Sequence, residues 1–335
     1  MKEKSRTKAI DVAREAGVSR ATVSYVLNNT PKQRVSAETR AKVLEAVDRL
    51  GYVPSAAALS LRGGDNRLVL VAVPYWPLGP RVAELVSVIV DGLVKLDYHP
   101  LILFHVYGSP QAFEAAWAKV QPIGVIAPTA LLSEDLLRRL RAGGTRAIMA
   151  VGDTAVEGLP TVVIEQSPVG RLAAQHLVET GRLNCLLVHP DLPDAQPIAN
   201  ARAIGAAEVL EAQGGSLQIL PLAGDDAGIM RQYSTLFKAE VPPQGIIAFS
   251  DSTAAKSLTI LRQLGISVPS EVAIIGTDNS EIAEAANPGL TSIRIWTESG
   301  AMQRAIEAFD QMVRGQSVNL VYKSPAPILV RRAST

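Results

Sequence analysis

The sequence predicts two fold classes in one chain, an all-α head of three short helices followed by a larger α/β body. The chain has 335 residues, which is too long for one ordinary core and suggests two or three domains. Near its beginning, apolar residues recur at helical spacing and are followed by a glycine. From residue 68 onward, apolar runs alternate with helical patterns, which is typical of parallel sheets covered by helices on both faces.

The composition excludes several classes of protein. Hydrophobic residues make up 47% of the chain and charged residues 19%, a balance typical of a globular protein. No apolar run reaches the roughly 18 residues that a membrane helix needs, and the polar start has no apolar export segment behind it. We therefore expect a cytoplasmic protein with no membrane contact. Its one cysteine, Cys185, lies in an apolar run, so we expect a buried thiol and no internal disulfide.

The charge is unevenly distributed along the chain. Residues 1–62 contain twelve lysines and arginines against six acidic residues, a net charge of +6, so the rest of the chain carries −5. A basic head favours polyanions because their counterions are released on binding. On charge alone, a basic surface that is merely solvated is an equal alternative.

Three helices are predicted in the head. The first lies within residues 9–17 and ends at Gly17. Ser19 is a good N-cap for the second helix, and Ser36 caps a third helix that runs to Gly51. Two helices joined by a tight glycine turn form a helix-turn-helix, which presents the beginning of its second helix to a major groove. A plain helical bundle is the alternative from the pattern alone.

A long set of short motifs narrows that choice. They are Ile10-Asp11-Val12-Ala13, Ala16-Gly17-Val18-Ser19, Thr22-Val23-Ser24, Asn28, Val35-Ser36, Thr39-Arg40 and Gly51-Tyr52-Val53-Pro54. In type and spacing these residues resemble the lactose-repressor (LacI/GalR) family of transcription regulators. The resemblance implies a head at 1–53, a hinge helix and linker at 54–65, and an effector-binding and dimerisation domain at 66–335.

The resemblance also implies the DNA contacts, residue by residue. Arg20 is the expected guanine reader, because a bidentate arginine contact discriminates that base by roughly 1 to 3 kcal/mol. Leu61 stands where an apolar wedge enters the minor groove, although a linker leucine packed on the body is the alternative. The other implied base readers are Ala21 and Tyr25, and the implied backbone contacts are Ser19, Thr22, Ser24, Asn28, Ser36 and Thr39.

The body contains more strands than one ordinary sheet accommodates. About eleven are expected, and the resemblance implies two doubly wound parallel-sheet subdomains of periplasmic-binding-protein type. The first lobe then spans about 66–164 plus 293–324, and the second about 165–292 plus 325–335, with crossovers near Ile164, Ser292 and Pro325. Buried-strand candidates are 68–73, 101–106, 124–127, 147–151, 161–164, 186–188, 217–220, 245–249 and 272–275.

Ligands of such lobes bind at the carboxyl ends of the strands, in the cleft between the lobes. Polar or aromatic side chains that follow predicted strands are therefore candidate contacts. The resemblance adds Arg202 as an effector clamp, and an arginine and an aspartate facing each other could grip hydroxyl, carboxylate or purine groups. The candidates are Tyr75, Trp76, Thr129, Asp153, Arg202, Ser250, Asp251 and Asp278.

Two other function classes compete with a regulator. An enzyme finds little support, because the sequence lacks the glycine-rich nucleotide loops and the serine elbow, and its four histidines lack metal-ligand spacing. A free solute-binding protein is disfavoured by the basic head and by the absence of an export segment. No cofactor is expected.

The predicted function is therefore a sequence-specific repressor controlled by a small molecule. Two heads of a homodimer would read a pseudopalindromic operator, and a sugar, nucleoside or organic acid would bind between the lobes. Whether this ligand induces or co-represses depends on the state that it prefers, and the sequence leaves both possibilities open.

Overall fold

The computed structural model describes residues 7–27, 35–52, 66–73, 80–104, 110–193, 195–295 and 300–335. The chain divides into two units, residues 1–66 and residues 67–335. The larger unit contains two sheets, and each sheet has its own hydrophobic clusters.

The described residues of the head form three helices, two of which begin at a serine cap. The Oγ atom of Ser19 accepts a hydrogen bond from the Thr22 amide at 3.0 Å, and Ser36 accepts one from the Thr39 amide at 3.1 Å. Gly51 ends the third helix in the left-handed conformation, with φ of 57°. The helices are α1 (Ala9–Glu15), α2 (Arg20–Leu27) and α3 (Ala37–Leu50).

A small aliphatic core holds these helices together. Its buried members are short or β-branched, which allows three short helices to pack closely. They come from all three helices: Val12, Ala13, Val23, Val26, Val43 and Ala46.

The first sheet of the body is entirely parallel and has the order β11-β5-β4-β3-β1-β2. Its four inner strands are mostly buried because helices cover both faces, whereas the edge strands β11 and β2 are largely exposed or half-buried. The elements of this first lobe are β1 (Leu68–Val73), α4 (Pro80–Lys95), β2 (His99–Phe104), α5 (Pro110–Val120), β3 (Gly124–Pro128), α6 (Glu134–Ala142), β4 (Ala147–Gly152), β5 (Thr161–Val163), α12 (Ala301–Val313) and β11 (Val321–Lys323).

The second sheet has the order β12-β10-β9-β8-β6-β7. It is parallel except at one edge, where β12 runs antiparallel to β10. The elements of this second lobe are α7 (Ser167–Glu179), β6 (Asn184–Pro190), α8 (Gln196–Glu211), β7 (Ser216–Leu222), α9 (Asp226–Phe237), β8 (Gly245–Ala248), α10 (Asp251–Gln263), β9 (Ala273–Thr277), α11 (Glu281–Ala285), β10 (Thr291–Arg294) and β12 (Ile328–Val330).

The chain passes between the lobes three times, after β5, after β10 and after β11. The nine predicted strands are all present, with ends shifted by a few residues where both ends are described. The prediction that all nine are buried is wrong for β2 and β7, which lie at sheet edges and are mostly exposed or half-buried. Strands β10, β11 and β12 were not predicted. Polar residues interrupt the apolar run in β10 and β11, and β12 is a three-residue strand at the edge of its sheet.

In the second lobe, α7 and α8 pack backbone to backbone. A Cβ atom at Gly170 would lie 1.8 Å from the Arg202 carbonyl oxygen, and one at Gly205 would lie 2.0 Å from that of Ser167. Only glycine allows so close an approach. The contact fixes the backbone from which the Arg202 side chain projects.

Candidate functional site

The outer face of α2 carries the predicted base readers. Val23 and Val26 point into the head core. Arg20 and Ala21 are exposed, and Tyr25 is half-buried. The residues around Arg20 are therefore available to a partner, while the opposite face of the same helix is used for folding.

Two Ser-x-x-Thr pairs cap α2 and α3. The hydroxyl groups of Ser19 and Thr22 lie 2.9 Å apart, and Ser36 donates to the Thr39 hydroxyl at 2.8 Å. A capped helix N-terminus attracts anions because its amide groups and dipole are positive. The half-buried Ser24 is also on α2. Asn28 and Leu61, the remaining predicted DNA contacts, lie outside the described residues.

A cleft of about 780 Å³ lies between the two lobes of the body. It is bordered by residues at the carboxyl ends of strands from both sheets, as expected for parallel sheets. Five predicted contacts line it: Thr129, Asp153, Arg202, Ser250 and Asp278. Tyr75 and Trp76 lie outside the described residues.

Arg202 is the most constrained polar side chain in this cleft. It is only 5% exposed, and its guanidinium lies over the Phe249 ring at 5.0 Å. Its Nε atom donates to Gln166 Oε1 at 3.0 Å, and Nη1 donates to the Phe249 carbonyl at 2.6 Å. Burial lowers the pKa of Arg202 to about 10, although Asp278 and Asp153 oppose that shift. The side chain is therefore charged at neutral pH.

Two further candidates stand at strand ends of the second lobe. Asp278 follows β9 with φ of 104°, a conformation that is strained for a side chain other than glycine. Its amide donates to the Ile293 carbonyl at 2.8 Å, which ties this loop to β10. Ser250 caps α10, and its Oγ atom accepts from the Thr253 amide at 3.1 Å.

Asp251 does not line the cleft, in contrast to its predicted role as an effector contact. It is 1% exposed, and burial raises the pKa of its carboxyl group against the effect of its hydrogen bonds. Oδ2 accepts from the amide and the hydroxyl of Ser280 at 2.7 and 2.9 Å, and Oδ1 accepts from Ser292 at 2.5 Å. The carboxylate thus anchors the loop that carries Asp278.

The wall from the first lobe is mainly aliphatic. In the described ranges it presents three polar side chains, those of Thr129, Asp153 and Thr154. The larger apolar side chains on this wall are Val71, Val73, Val82, Leu85, Val86, Ile89, Ile126 and Val151.

The described residues contain neither a candidate metal site nor a candidate membrane span. No group of three or more histidine, cysteine, aspartate or glutamate side chains there could hold a metal ion. No helix in the described ranges is both long and apolar enough to cross a membrane.

Comparison with known proteins decides the family. Residues 10–55 match the model of bacterial regulatory proteins of the lacI family, and residues 174–335 match a periplasmic binding protein-like domain. The transcriptional repressor PurR of Vibrio parahaemolyticus is 30% identical over 294 residues, which cover 84% of this chain and 85% of that protein. The chain belongs to the LacI family. The predicted fold class and the predicted function as a DNA-binding transcription regulator are thereby confirmed.

Other transcription regulators are similar over most of the chain. The transcriptional regulator DegA of Bacillus subtilis is 28% identical and covers 86% of each chain. The lac repressor dimer bound to operator and the anti-inducer ONPF matches with a TM-score of 0.76 at 22% identity, over 98% of this chain and 99% of that one. A LacI-family regulator from Silicibacter pomeroyi matches with a TM-score of 0.79 at 24% identity, over 98% and 99%. These two solved structures have the same fold.

Sequence reasoning missed several cleft residues. Gln166 accepts a hydrogen bond from Arg202 and directly follows the first crossover between the lobes. Its position at the crossover could have marked it as a residue near the cleft. Ser252 and Thr253 line the cleft from the first turn of α10. The aliphatic residues of α4 gave no signal, because in a sequence they are indistinguishable from core residues.

Proposed function

We propose that this LacI-family regulator is a repressor whose affinity for a pseudopalindromic operator is controlled by a small molecule in the interlobe cleft. The observation that carries the proposal is the buried Arg202 clamp in a cleft of ligand size, on a chain whose head has the family signature. The domain limits follow the same proposal: a head at 1–53, a hinge at 54–65 and a two-lobed body at 66–335.

The head would read bases from the exposed beginning of α2. Arg20 has the guanidinium that suits guanine, Ala21 is small enough to contact a thymine methyl group, and Tyr25 adds a hydroxyl one turn further. The capping hydroxyl groups and the helix N-termini would bind phosphates and fix the register. The proposed backbone contacts are Ser19, Thr22, Ser24, Asn28, Ser36 and Thr39, with Leu61 in the minor groove.

The cleft would hold the effector through the second lobe. Arg202, Ser250 and Asp278 are the proposed contacts there, and Asp153 and Thr129 face them from the first lobe. Asp251 acts as a positioning residue in this scheme, because its carboxylate oxygens are already engaged.

A homodimer is supported by apolar residues at the sheet edges. In the first sheet the edge strand β2 exposes Leu101 and Phe104, which are 41% and 43% exposed, and the neighbouring α4 exposes Val94. In the second sheet the edge strand β7 exposes Ile219. An uncovered edge with apolar side chains invites pairing with another chain. Because operator DNA lies in the bacterial cytoplasm, the dimer would act there.

Selection from a random duplex library tests the DNA-binding part. The wild-type protein should enrich one pseudopalindromic motif, and Arg20→Ala should relax preference at one base pair of each half-site by about 1 to 3 kcal/mol. Arg14→Ala is the matched control, because Arg14 is an exposed arginine on α1 rather than α2. Unchanged base preference in Arg20→Ala would remove it from the base readers.

A thermal-shift screen of the full chain tests the ligand part. Sugars, nucleosides, organic acids and amino acids are screened, since a ligand raises the melting temperature by mass action. Arg202→Ala should lose the response to every compound that binds the cleft. Arg171→Ala, which breaks a surface ion pair with Glu208 in the same lobe, should retain it. An equal response in both variants would exclude Arg202 from the ligand site.

A further inference from the structure

The chemistry of the two cleft walls points to a ligand class, given the proposed function of the cleft. The first-lobe wall offers a nearly continuous aliphatic surface from α4 and from the strand ends. The second-lobe wall carries most of the charged and hydroxyl side chains, together with apolar residues such as Ile198 and Leu222. A ligand that bridges the walls must therefore be apolar at one end and polar at the other.

The aliphatic wall disfavours polyols. A sugar has several hydroxyl groups, and each one that is buried without a partner costs free energy. On the first-lobe side, the described polar side chains that could form a hydrogen bond with a hydroxyl group are those of Thr129, Asp153 and Thr154. Hydroxyl groups turned towards Val82, Leu85 or Val86 would have no acceptor there.

Planar bases find no free stacking surface among the described lining residues. Among the described lining residues, Phe249 is the one aromatic side chain. The guanidinium of Arg202 already covers one face of its ring. The rest of the described wall offers branched aliphatic carbons, which fit a branched alkyl group better than a ring face.

The polar corner is built to receive a carboxylate. Arg202 is more than nine-tenths buried, and in the described part of the chain its Nη2 atom has no hydrogen-bond partner. Beside it, helix α10 begins at Asp251, and Ser250, Ser252 and Thr253 border the cleft. The first-turn amide groups of a helix lack intrahelical acceptors, so this N-terminus and the arginine together favour an anionic group.

The same corner carries negative charge for a second group. Asp278 lines the cleft on the second-lobe side, and Asp153 lines it on the first-lobe side. Asp153 Oδ1 accepts from the Gln166 amide, while Oδ2 has no partner within the described ranges. Of the two described lining cations, Lys256 is paired with Asp226 at 2.9 Å. A purely anionic ligand would meet the negative charge of both aspartates, whereas an additional ammonium group would pair with the open Asp153 oxygen and lie near the charge of Asp278.

We propose that the effector is an aliphatic zwitterion, either a hydrophobic α-amino acid or a short hydrophobic peptide. Its carboxylate binds Arg202 and the N-terminus of α10, its ammonium group binds Asp278 and Asp153, and its branched side chain packs on the aliphatic wall. The cleft volume of about 780 Å³ accommodates either source of this chemistry.

Calorimetric titration of the full-length protein tests the proposal. The probes are L-leucine and L-leucyl-L-leucine, which separate the free amino acid from the peptide. The comparators are 4-methylpentanoate, which lacks the ammonium group, 3-methylbutylamine, which lacks the carboxylate, and D-glucose and adenosine. At least one zwitterion should bind, and each single-charge comparator should bind at least tenfold more weakly. Glucose and adenosine should give no heat of binding.

Two variants test whether the aliphatic wall contacts the bound zwitterion. Val86→Thr keeps the shape but places a hydroxyl group on the aliphatic surface, and it should weaken binding of the zwitterion on the order of tenfold. Val241→Thr makes the same change at an exposed position outside the cleft and should have no effect. Equal affinity in both variants would overturn the assignment of the wall.

The result also separates this inference from the function on which it rests. If glucose or adenosine binds in an Arg202-dependent way and neither zwitterion does, the ligand class is wrong while the regulator with a cleft effector stands. If the library selection enriches no DNA motif, the proposed function itself fails, whatever the cleft binds.

Discussion

The two lobes of the body have matching sheet orders but use them differently. Each has a central run of parallel strands between helical layers, and each contributes one wall to the cleft. The first lobe presents mainly aliphatic carbons. The second presents a buried arginine, a strained aspartate and the hydroxyl-rich beginning of a helix. One architecture thus supplies an apolar surface and a polar clamp, and the difference lies in side chains and not in topology.

The two lobes also differ in how their helices pack against each other. In the second lobe, Gly170 and Gly205 bring two helix backbones together and fix Arg202. In the first lobe, Gly92 of α4 faces the flexible end of Ile306 on α12, with 2.8 Å from a Cβ atom to Ile306 Cδ1. We conclude that the helix pair behind the polar clamp is held by a rigid contact between main chains, whereas α4 and α12 of the first lobe meet at this point through a side chain.

The largest effect on the free energy of unfolding is expected from placing a methyl group where the backbones of α7 and α8 touch. Gly170→Ala should lower the free energy of unfolding by about 3 kcal/mol or more, because the new methyl group meets a main-chain carbonyl that cannot move alone. Gly92→Ala should stay within about 1 kcal/mol of wild type, because a side-chain end can rotate away and alanine favours the helix. Thermal melts of both variants measure the difference. Equal melting temperatures would contradict the contrast between the lobes.

The next largest effect on the free energy of unfolding is expected from removing the buried Asp251 carboxylate, in comparison with the Asp153 carboxylate that lines the cleft. Asp251→Ala should destabilise the protein by about 2 to 3 kcal/mol, because it leaves the Ser280 amide and two serine hydroxyl groups without their buried acceptor. Asp153→Ala loses one described hydrogen bond, from Gln166, and should cost about 1 kcal/mol. Denaturant titrations compare the two, and a larger loss in Asp153→Ala would reverse the assignment of rigidity to the second lobe.

Much of the fold could be predicted because its signals are local. Ser19 and Ser36 cap helices through residues three positions away, and these signals are visible in the sequence. The long buried strands were equally clear, since each is a continuous apolar run between helical patterns. Strand β12 was not predicted because it forms only where the chain returns to the edge of the second sheet, and its antiparallel direction depends on that return.

The cleft was only partly predictable because its chemistry depends on contacts between distant residues. Ser250 and Asp278 followed from the rule that strand ends line a cleft, and Arg202 followed from family resemblance. The Asp251 carboxylate is instead engaged by Ser280 and Ser292, which are 29 and 41 residues away. No local pattern records such a contact.

The smallest predicted effect is a fall in the free energy of unfolding at alkaline pH, which hardly changes the stability near neutral pH. Burial raises the pKa of Cys185 from its ordinary value of 9.0 to about 12, and that of Tyr233 from 10.0 to about 12, both in the second lobe. In the first lobe, burial and the hydrogen bond to Asp310 raise the pKa of Tyr98 to about 12. Because these folded-state pKa values exceed the unfolded ones, the groups stabilise the protein below about pH 9, and that contribution is lost as the pH rises towards 12.

Removing one of these groups should reduce the alkaline loss. In Cys185→Ala the fall in the free energy of unfolding between pH 8 and pH 11 should be smaller than in wild type, each measured against its own value at pH 8. Denaturant titrations at both pH values test this. An equal or steeper fall in the variant would show that the thiol is not shielded within the second lobe.

The most direct test of the account is a thermodynamic cycle on the full-length protein. The operator from the library selection and the tightest ligand from the thermal-shift screen are titrated separately, each in the absence and in the presence of the other. The account predicts that each changes the Kd of the other by the same factor, roughly 5- to 150-fold, and that Arg202→Ala abolishes both changes. If the ligand binds the cleft and the operator binds the head, but neither Kd changes, the claim that the cleft controls DNA binding is contradicted.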